Sequence, residues 1–529
     1  MLKMLISAKS LKIFVIFLIG CSIFGYCVWL NFAWSNIETV QAKSLNEYIF
    51  HGVLLKMHIA FLAGDIRMFF SYAFYSYGFI FFLLNYLAVI PFITDSFNPM
   101  MLIAPRLISS FFMVFSLIFL DATLKNLAAT NFERACCILF LILMPGVWFS
   151  ATWFHPDFMM TGFLMLSIYY LSNDISPESP SFNKAIIFWA IAIAVKIQAI
   201  SMAPLYLWLF IFRKDMLHLS SENILLLCKF FLQIAFIYVA LNPYLLHPDG
   251  INAWLASQLS EASKMAPEDS SALISVGERL RYSVLDFYFP LLTYLVFIFL
   301  TLRVFAQDLK NKTASFYGAL CITFLMNITF LLFFMNKGWN HYYLPVAFIA
   351  SLILILSLKH SFPNKNYKFI AMLCILGLQS YSFIPAIKTT FIQRSNDQIM
   401  SRDSLYRYSD RLHSSKEMKL QNETLFNMLQ YRVSENTKIL SHAYIGFPFS
   451  QLDMSYDQVT IIQQKLTVKD IDTFVSTNNL LSYMLFRKET IDGIKNTYID
   501  ELIIGRDDLI VLDDTDKFLL VGLAKTAIQ

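Results

Sequence analysis

Long apolar runs fill the first three quarters of the chain, and its charged residues fall mainly in the short stretches between them. The runs 11–32, 102–120 and 316–334 have about the length a helix needs to cross a hydrocarbon core of roughly 30 Å. A segment in lipid has to satisfy its own backbone, so such runs read as helices. The pattern predicts spans near 12–33, 104–123, 135–152, 158–172, 185–196, 199–212, 224–241, 288–304, 316–335, 344–358 and 369–386, about 11 in all. The run 79–93 is apolar but short, and it reads as an interfacial or re-entrant segment closing a long first outer loop, 34–103. The stretch 185–212 carries Lys196 near its middle, so it divides into two short spans meeting at an outward turn. A single helix kinked at Pro204 is the alternative.

Past about residue 388 the pattern changes to short alternating runs at 438–442, 459–462, 480–486, 501–504, 508–512 and 518–522, with helical stretches between. These read as strands of one small soluble α/β domain. The expected organisation is an all-α polytopic membrane bundle over 1–387 followed by a soluble α/β domain over 388–529. No internal repeat or low-complexity segment interrupts it.

Composition agrees: 57% of the 529 residues are hydrophobic and 15% charged, against roughly a quarter charged in soluble domains. A net charge of +4, spread over short loops, gives no footprint for nucleic acid. Lys3, Lys9 and Lys12 precede an apolar run with no small-residue cleavage site, so the run reads as a retained helix. Basic residues mark cytoplasmic loops. Lys125/Arg134, Arg213/Lys214, Arg303/Lys310/Lys312 and Lys359/Lys365/Lys368 all fall on that side if the N-terminus is inside, which puts the C-terminal domain outside. The seven cysteines lie in apolar segments and read as buried small hydrophobes rather than disulfides or metal ligands.

Ionisable residues at the ends of membrane helices are costly unless solvated or paired, which makes them candidates for function. Four groups share the outer side. The first runs from Glu38 through an amphipathic surface helix to Gly64-Asp65-Ile66-Arg67 and an aromatic stretch containing Tyr77-Gly78. Here Glu38 can complement a helix dipole and Asp65 can pair with Arg67. The second is His155-Pro156-Asp157, in which Asp157 can cap a helix. The third is Lys196, suited to a phosphate as a point charge or to snorkelling. The fourth is the turn Lys337-Gly338-Trp339-Asn340-His341-Tyr342-Tyr343-Leu344-Pro345, whose aromatics suit an interfacial belt. Together they suit a lipid phosphate and a hydroxyl acceptor, with a carboxylate as general base and cations offsetting the charge on the leaving phosphate.

In the order of these elements the chain resembles the GT-C superfamily of polyprenyl-phosphate-sugar glycosyltransferases, which includes protein O-mannosyltransferases and the lipid A aminoarabinose transferase. The resemblance covers roughly residues 10–390. It runs through the acid after the first span, Gly64-Asp65 and Tyr77-Gly78, Arg106, His155-Pro156-Asp157, Val195-Lys196-Ile197, Asn242-Pro243 and His341-Tyr342-Tyr343-Leu344-Pro345. It implies that the acid after the first span is the catalytic base. Members usually have Asp-Glu there; this chain has Ile37-Glu38, so the base is Glu38, or Asp65 in its place. Asp157 matches the second acidic position, near the acceptor or a metal. Arg67, Lys196, Lys337 and His341 would hold the donor phosphate, with Tyr77, His155 and Tyr342 also binding substrate. No metal site is assigned, and a divalent cation stays open as a cofactor.

The function expected is inverting transfer of a sugar from a polyprenyl-phosphate carrier to a glycan, lipid or protein acceptor, at the outer face of a bacterial inner membrane. Two rivals are a lipid-linked-glycan flippase or transporter and a non-catalytic membrane scaffold. Transporters place charges at mid-membrane depth between paired repeats, whereas here the charges gather at helix ends.

Overall fold

A computed structural model describes residues 45–70, 75, 77–94, 98–213, 221–263, 275–311, 315–335, 340–361, 364–395, 398–400, 412–442, 447–454, 458–462, 468–477, 482–488, 498–503 and 505–523. Glu38, Lys337, Trp339 and the expected first span lie outside them. Two compact units divide the chain. One holds Val53–Thr94 and Met100–Ile392, and the other consists mostly of Gln393–Gln529.

The first unit is helical, and its first and last helices each extend into the stretches assigned to the second. Its helices are α1 (Leu45–Leu62), α2 (Ile66–Phe70), α3 (Phe79–Val89), α4 (Met100–Asn126), α5 (Asn131–Ile142), α6 (Pro145–Ala151), α7 (Asp157–Asn173), α8 (Pro180–Val195), α9 (Ala203–Arg213), α10 (Ser221–Leu241), α11 (Pro248–Ser263), α12 (Val276–Arg279), α13 (Leu291–Asn311), α14 (Phe316–Thr329), α15 (Leu344–Ser361) and α16 (Lys365–Ser395). Four stretches among the described residues are long and apolar enough to cross a bilayer: Met100–Asn126, Ser221–Leu241, Phe316–Phe334 and Asn340–Lys359. The pair α5 and α6 makes a fifth if taken as one span, bent by 70°. Pro145 explains the bend: it opens α6, and the residue before it, Met144, is extended. Shorter apolar helices, α3 and α8 among them, complete the unit. Asn340–Lys359 is buried over its whole apolar window, whereas Ser221–Leu241 has little of its window buried. One is a central post; the other presents Leu225, Phe231, Leu232 and Phe236 outward.

Several helix ends collect in two groups. At one end Lys359 donates to the carbonyls of Leu127 and Ala128, Lys368 pairs with Glu133 at 2.5 Å, Arg134 pairs with Asp121, and Asn126 bonds Ser172 and Asn173. Glu133 also closes a capping box with Thr130 at the start of α5. At the opposite end lie the starts of α3, α7 and α15 and the ends of α8 and α10.

Several local expectations change. The stretch 185–212 breaks at Lys196, which is extended (φ −153°, ψ 120°), and a 3-10 turn, Ile197–Met202, leads into α9. Pro204 is the second residue of α9, where its missing N–H costs nothing, so it does not make the kink. Helix α1 ends where Gly64 turns left-handed (φ 68°). Its exposed face is apolar, carrying Ile59, Phe61 and Leu62 beside Lys56, rather than the polar face of a simple amphipathic helix. Cys136, Cys137 and Cys321 are buried, but Cys228 and Cys374 are exposed on α10 and α16.

The second unit carries a hairpin of β1 (Gln398–Met400) and β2 (Leu412–Ser414), then α17 (Ser415–Leu429), β3 (Lys438–His442), α18 (Phe449–Leu452), β4 (Val459–Ile462), α19 (Val468–Thr477), β5 (Ser482–Arg487), α20 (Tyr498–Ile503), β6 (Leu509–Asp514) and β7 (Phe518–Leu523). The main sheet has the order β4-β3-β5-β7-β6. Strands β4, β3 and β5 run parallel, with Ile439 opposite both Val459 and Tyr483. Strand β7 runs antiparallel to β5 and to the edge strand β6. The inner strands β5 and β7 are apolar and almost wholly buried, while β6 is largely exposed. The run 501–504, expected as a strand, belongs to α20 through residue 503. Ile499, Leu502 and Ile503 recur at helical spacing and pack on the core of Leu440, Ile471, Phe474, Met484 and Val521. The Arg506 guanidinium, bonded to Asp508, holds that carboxyl below its ordinary range.

Ile471 is wholly buried in that core. Ile471→Ala in the full chain is expected to cost about 2–5 kcal/mol. Chemical unfolding in detergent checks this: protease sites after residue 393 become accessible at lower denaturant, while those in the helical unit keep their midpoint.

Candidate functional site

The helix ends opposite the Lys359 group converge on one carboxylate. Asp157 is the first residue of α7, where the exposed N–H groups favour a negative charge, and Lys196 follows the last residue of α8, where the free carbonyls favour a positive one. Antiparallel packing of α7 and α8 brings these two ends side by side. Lys196 Nζ donates to Asp157 Oδ1 at 2.6 Å. Asp157 does not cap its own helix, and Lys196 does not snorkel: both are buried. The other carboxylate oxygen takes His155 Nδ1.

His155 is held by shape as well as charge. Its ring stacks on Trp153 at 4.0 Å with an interplanar angle of 9° and meets His341 edge-on at 4.8 Å. Its Nε2 lies 3.0 Å from the Tyr77 hydroxyl. The Lys196 ammonium stands over the rings of Tyr342, at 4.7 Å, and Tyr77, at 5.5 Å. Residues from four separate stretches thus surround one ion pair. The structure brings together Tyr77, His155, Asp157, Lys196, His341 and Tyr342 of the expected residues. Tyr342 and Tyr343 are buried rather than belt residues.

Asp65 and Arg67 are engaged elsewhere. Asp65 Oδ1 accepts the Met68 N–H at 2.8 Å and so caps α2, and Arg67 pairs with Asp249 rather than with Asp65. That pair is two-thirds exposed, where ion pairs contribute little.

Backbone contacts fix these positions. Gly78 N–H donates to the Val195 carbonyl at 2.9 Å, filling an orphan acceptor at the end of α8. A Cβ on Gly78 would sit 1.6 Å from the Ala194 oxygen, so only glycine allows the approach that sets Tyr77 beside Lys196. Asn242 secures the same point: its Oδ1 accepts the Phe79 N–H at 2.8 Å and its Nδ2 donates to Tyr238 O at 2.9 Å. Ser109 and Ser110 of α4 donate to the carbonyls of His155 and Ala151. Gln198 Nε2 donates to Tyr342 O at 2.9 Å, tying the break after α8 to the 3-10 turn Asn340–Tyr343. From the far side, Tyr288 Oη donates to Asn340 O at 2.9 Å, and Gln379 Nε2 holds the Tyr288 carbonyl at 2.8 Å.

One residue with no role in the sequence reading stands out. Arg279 is buried and donates to the Met335 carbonyl, yet its Nε has no hydrogen-bond partner and no carboxylate pairs with it among the described residues. Its charge acts on Tyr343, whose hydroxyl also lacks a partner among the described residues. A buried guanidinium with no counter-charge is costly and calls for an anion. In the sequence Arg279 cannot be told from Arg281 two residues on; only burial distinguishes them.

His155, Asp157 and His341 offer three donor atoms within 4.8 Å of one another. Both Asp157 oxygens are already taken, one by the Lys196 ammonium and one by His155. A divalent cation would have to displace that ammonium, so the donor set fits an internal ion pair better than a metal.

The fold is similar to that of ArnT from Cupriavidus metallidurans. A crystal structure of that protein bound to undecaprenyl phosphate matches with a TM-score of 0.50 and 10% identity, over 95% of this chain and 97% of that one. The apo crystal structure matches with 0.51 and 10% identity, over 98% and 99%. Oligosaccharyltransferase from Archaeoglobus fulgidus, tethered with an acceptor peptide, gives 0.42 and 11% identity over 88% and 69%. ArnT and the oligosaccharyltransferase are GT-C superfamily members, the superfamily whose motif order the sequence resembles. No protein-family model matches the chain, and no curated protein matches it.

Two outcomes test the geometry. Asp157→Asn leaves Lys196 as an uncompensated buried cation and is expected to destabilise the helical unit by about 3–5 kcal/mol, whereas Asp157→Asn with Lys196→Met recovers much of that loss. Thermal unfolding in detergent of the single and double variants gives the comparison. Gly78→Ala forces α3 away from the end of α8 and is expected to cost about 3 kcal/mol or more, since overpacking here meets backbone; the same scans read it.

Proposed function

We propose that the chain is an integral membrane glycosyltransferase that moves a sugar from a polyprenyl-phosphate carrier to an acceptor hydroxyl. The observation that carries this reading is the Arg279 guanidinium, buried with no counter-charge among the described residues and close enough to Tyr343 for its charge to act on that hydroxyl. That tyrosine belongs to the turn whose neighbouring Tyr342 faces Lys196. An anionic phosphate is the ligand such a set of residues suits: Arg can grip two of its oxygens, and Lys acts as a point charge. The likeness in fold to a protein captured with undecaprenyl phosphate supports a lipid-linked phosphate over a free one.

In this reading Arg279, Tyr343, Lys196, His341 and Lys337 hold the donor phosphate. Glu38 is the general base that takes the acceptor proton, and the acceptor oxygen attacks the anomeric carbon from the face opposite the phosphate, inverting it. As the bond to phosphate breaks, the leaving group gains a negative charge, which the basic residues offset. Asp157 fixes Lys196 and His155, one on each carboxylate oxygen, and through them positions the acceptor. Arg67, paired with Asp249 in the open, stands outside the site. Eleven spans, a site and a C-terminal domain on the outer face of a bacterial inner membrane, and an acceptor chosen by that domain complete the proposal.

Purified protein incubated with labelled polyprenyl-phosphate sugar is expected to release the label to an acceptor or to water. Glu38→Gln and Asp157→Asn are expected to abolish release while the protein still inserts, and Asp157→Asn/Lys196→Met stays inactive even where stability returns. Normal products from both single variants reject the assignment. Arg279→Met is expected to weaken donor binding by about tenfold or more, the loss of one charged hydrogen bond. Unchanged donor affinity removes the phosphate from Arg279.

A further inference from the structure

The ion pair explains how Lys196 is held, but not why an imidazole and a phenol join it. Asp157 Oδ2 faces His155 Nδ1, which keeps a proton on that nitrogen and leaves Nε2 directed at the Tyr77 hydroxyl, 3.0 Å away. Asp157, His155 and Tyr77 thus form a continuous chain of hydrogen bonds, and it runs beside the ammonium of Lys196. Both aromatic links are rigid. His155 is clamped on Trp153, and the backbone after Tyr77 is fixed by Gly78 against Val195 and by Phe79 against Asn242. A salt link alone requires neither link.

We propose that Tyr77 passes a proton from His155 to the phosphate oxygen that leaves the sugar. This inference rests on the glycosyltransferase reading above. The acceptor hydroxyl gives its proton to Glu38 as its oxygen bonds the anomeric carbon. The bond from that carbon to the phosphate oxygen breaks, and its electron pair stays on oxygen. Tyr77 gives its phenolic proton to that oxygen and takes one from His155 Nε2. His155 ends neutral, its remaining proton on Nδ1 toward Asp157, and the polyprenyl phosphate leaves as a monoanion. Glu38 then loses a proton to water and His155 regains one, so the cycle closes. Tyr77 is the catalytic residue here because it would touch the leaving group. His155 acts through it, and Asp157 is a positioning residue that favours the protonated imidazole. The titratable groups that bear on His155 are Tyr77, Asp157 on α7, Lys196 after α8, and His341 and Tyr342 in the 340–343 turn.

The sign follows from the chemistry: His155 has to be protonated, so turnover falls as pH rises through its titration. Single-turnover rates with a labelled polyprenyl-phosphate sugar, measured across pH for the wild type and Tyr77→Phe, test it. The wild type is expected to lose rate on the alkaline side and to slow by about twofold or more in heavy water. Tyr77→Phe is expected to be about 10²-fold slower, with donor affinity within a factor of two, no alkaline limb and a smaller isotope effect, the part left by proton transfer to Glu38. A Tyr77→Phe profile parallel to that of the wild type overturns the relay, as does a change confined to donor affinity. Should that variant fail to fold, the absence of both the alkaline limb and the isotope effect in the wild type overturns it instead. A wild type that transfers no sugar at all rejects the underlying glycosyltransferase reading, a result distinct from the other two.

Discussion

The buried contact between Asp157 and Lys196 sets the arrangement of the site. Each charge stands at the helix end whose dipole favours it, and neither end could be buried in an apolar bundle without the other. Antiparallel packing of α7 and α8 makes the meeting unavoidable, and His155, Tyr77 and Tyr342 then close around it. A lone charge at this depth would cost several kcal/mol, so the pair is also a constraint on register: a slip of either helix by one residue would strand both. Chemistry and folding share one requirement here, because the same contact that lets the bundle close also holds the ammonium in place.

Around this pair the chain uses backbone groups more than side-chain charges. The carbonyls left open where α8 stops are taken up by a glycine N–H and by the Asn242 amide, and the carbonyls of the 340–343 turn by Gln198 and Tyr288. Unpaired carbonyls in a water-poor interior are costly, and each is satisfied by a residue distant from it in sequence or at a break between helices. The result ties segments far apart in sequence, such as Phe79 and Asn242, into one rigid frame. Charge inside that frame is asymmetric: Lys196 has its carboxylate, and Arg279 has none among the described residues.

Much of this was legible in the sequence. Helix positions follow from the apolar runs, because lipid leaves a chain little choice but to be helical, and the break at Lys196 follows from a charge in the middle of such a run. His155, Asp157, Lys196, His341 and Tyr342 could be named because polar residues at helix ends are rare enough to be conspicuous. Asp65 and Arg67 looked equally conspicuous, but their partners, a backbone N–H and the distant Asp249, are set by tertiary structure. Arg279 was invisible for the opposite reason: it sits in a stretch rich in charged residues, and its burial is decided by where α12 packs. The run 501–504 misled because four apolar or acidic residues fit a strand and a helix alike, and the core that chose the helix, around Ile471 and Met484, is distant in sequence.

The stretch Asn340–Lys359 is enclosed by protein along its whole apolar length, with Ser351 and Ser357 hidden along it. In the finished molecule no face of it meets lipid, so its oiliness is not explained by where it ends up. Its hydrophobicity matters earlier, during biogenesis: the segment has to enter the bilayer and wait there until its neighbours arrive. A substitution that swapped its leucines for polar groups able to bond within the bundle could therefore suit the completed protein and still fail, because the newly made chain would never be threaded across the membrane.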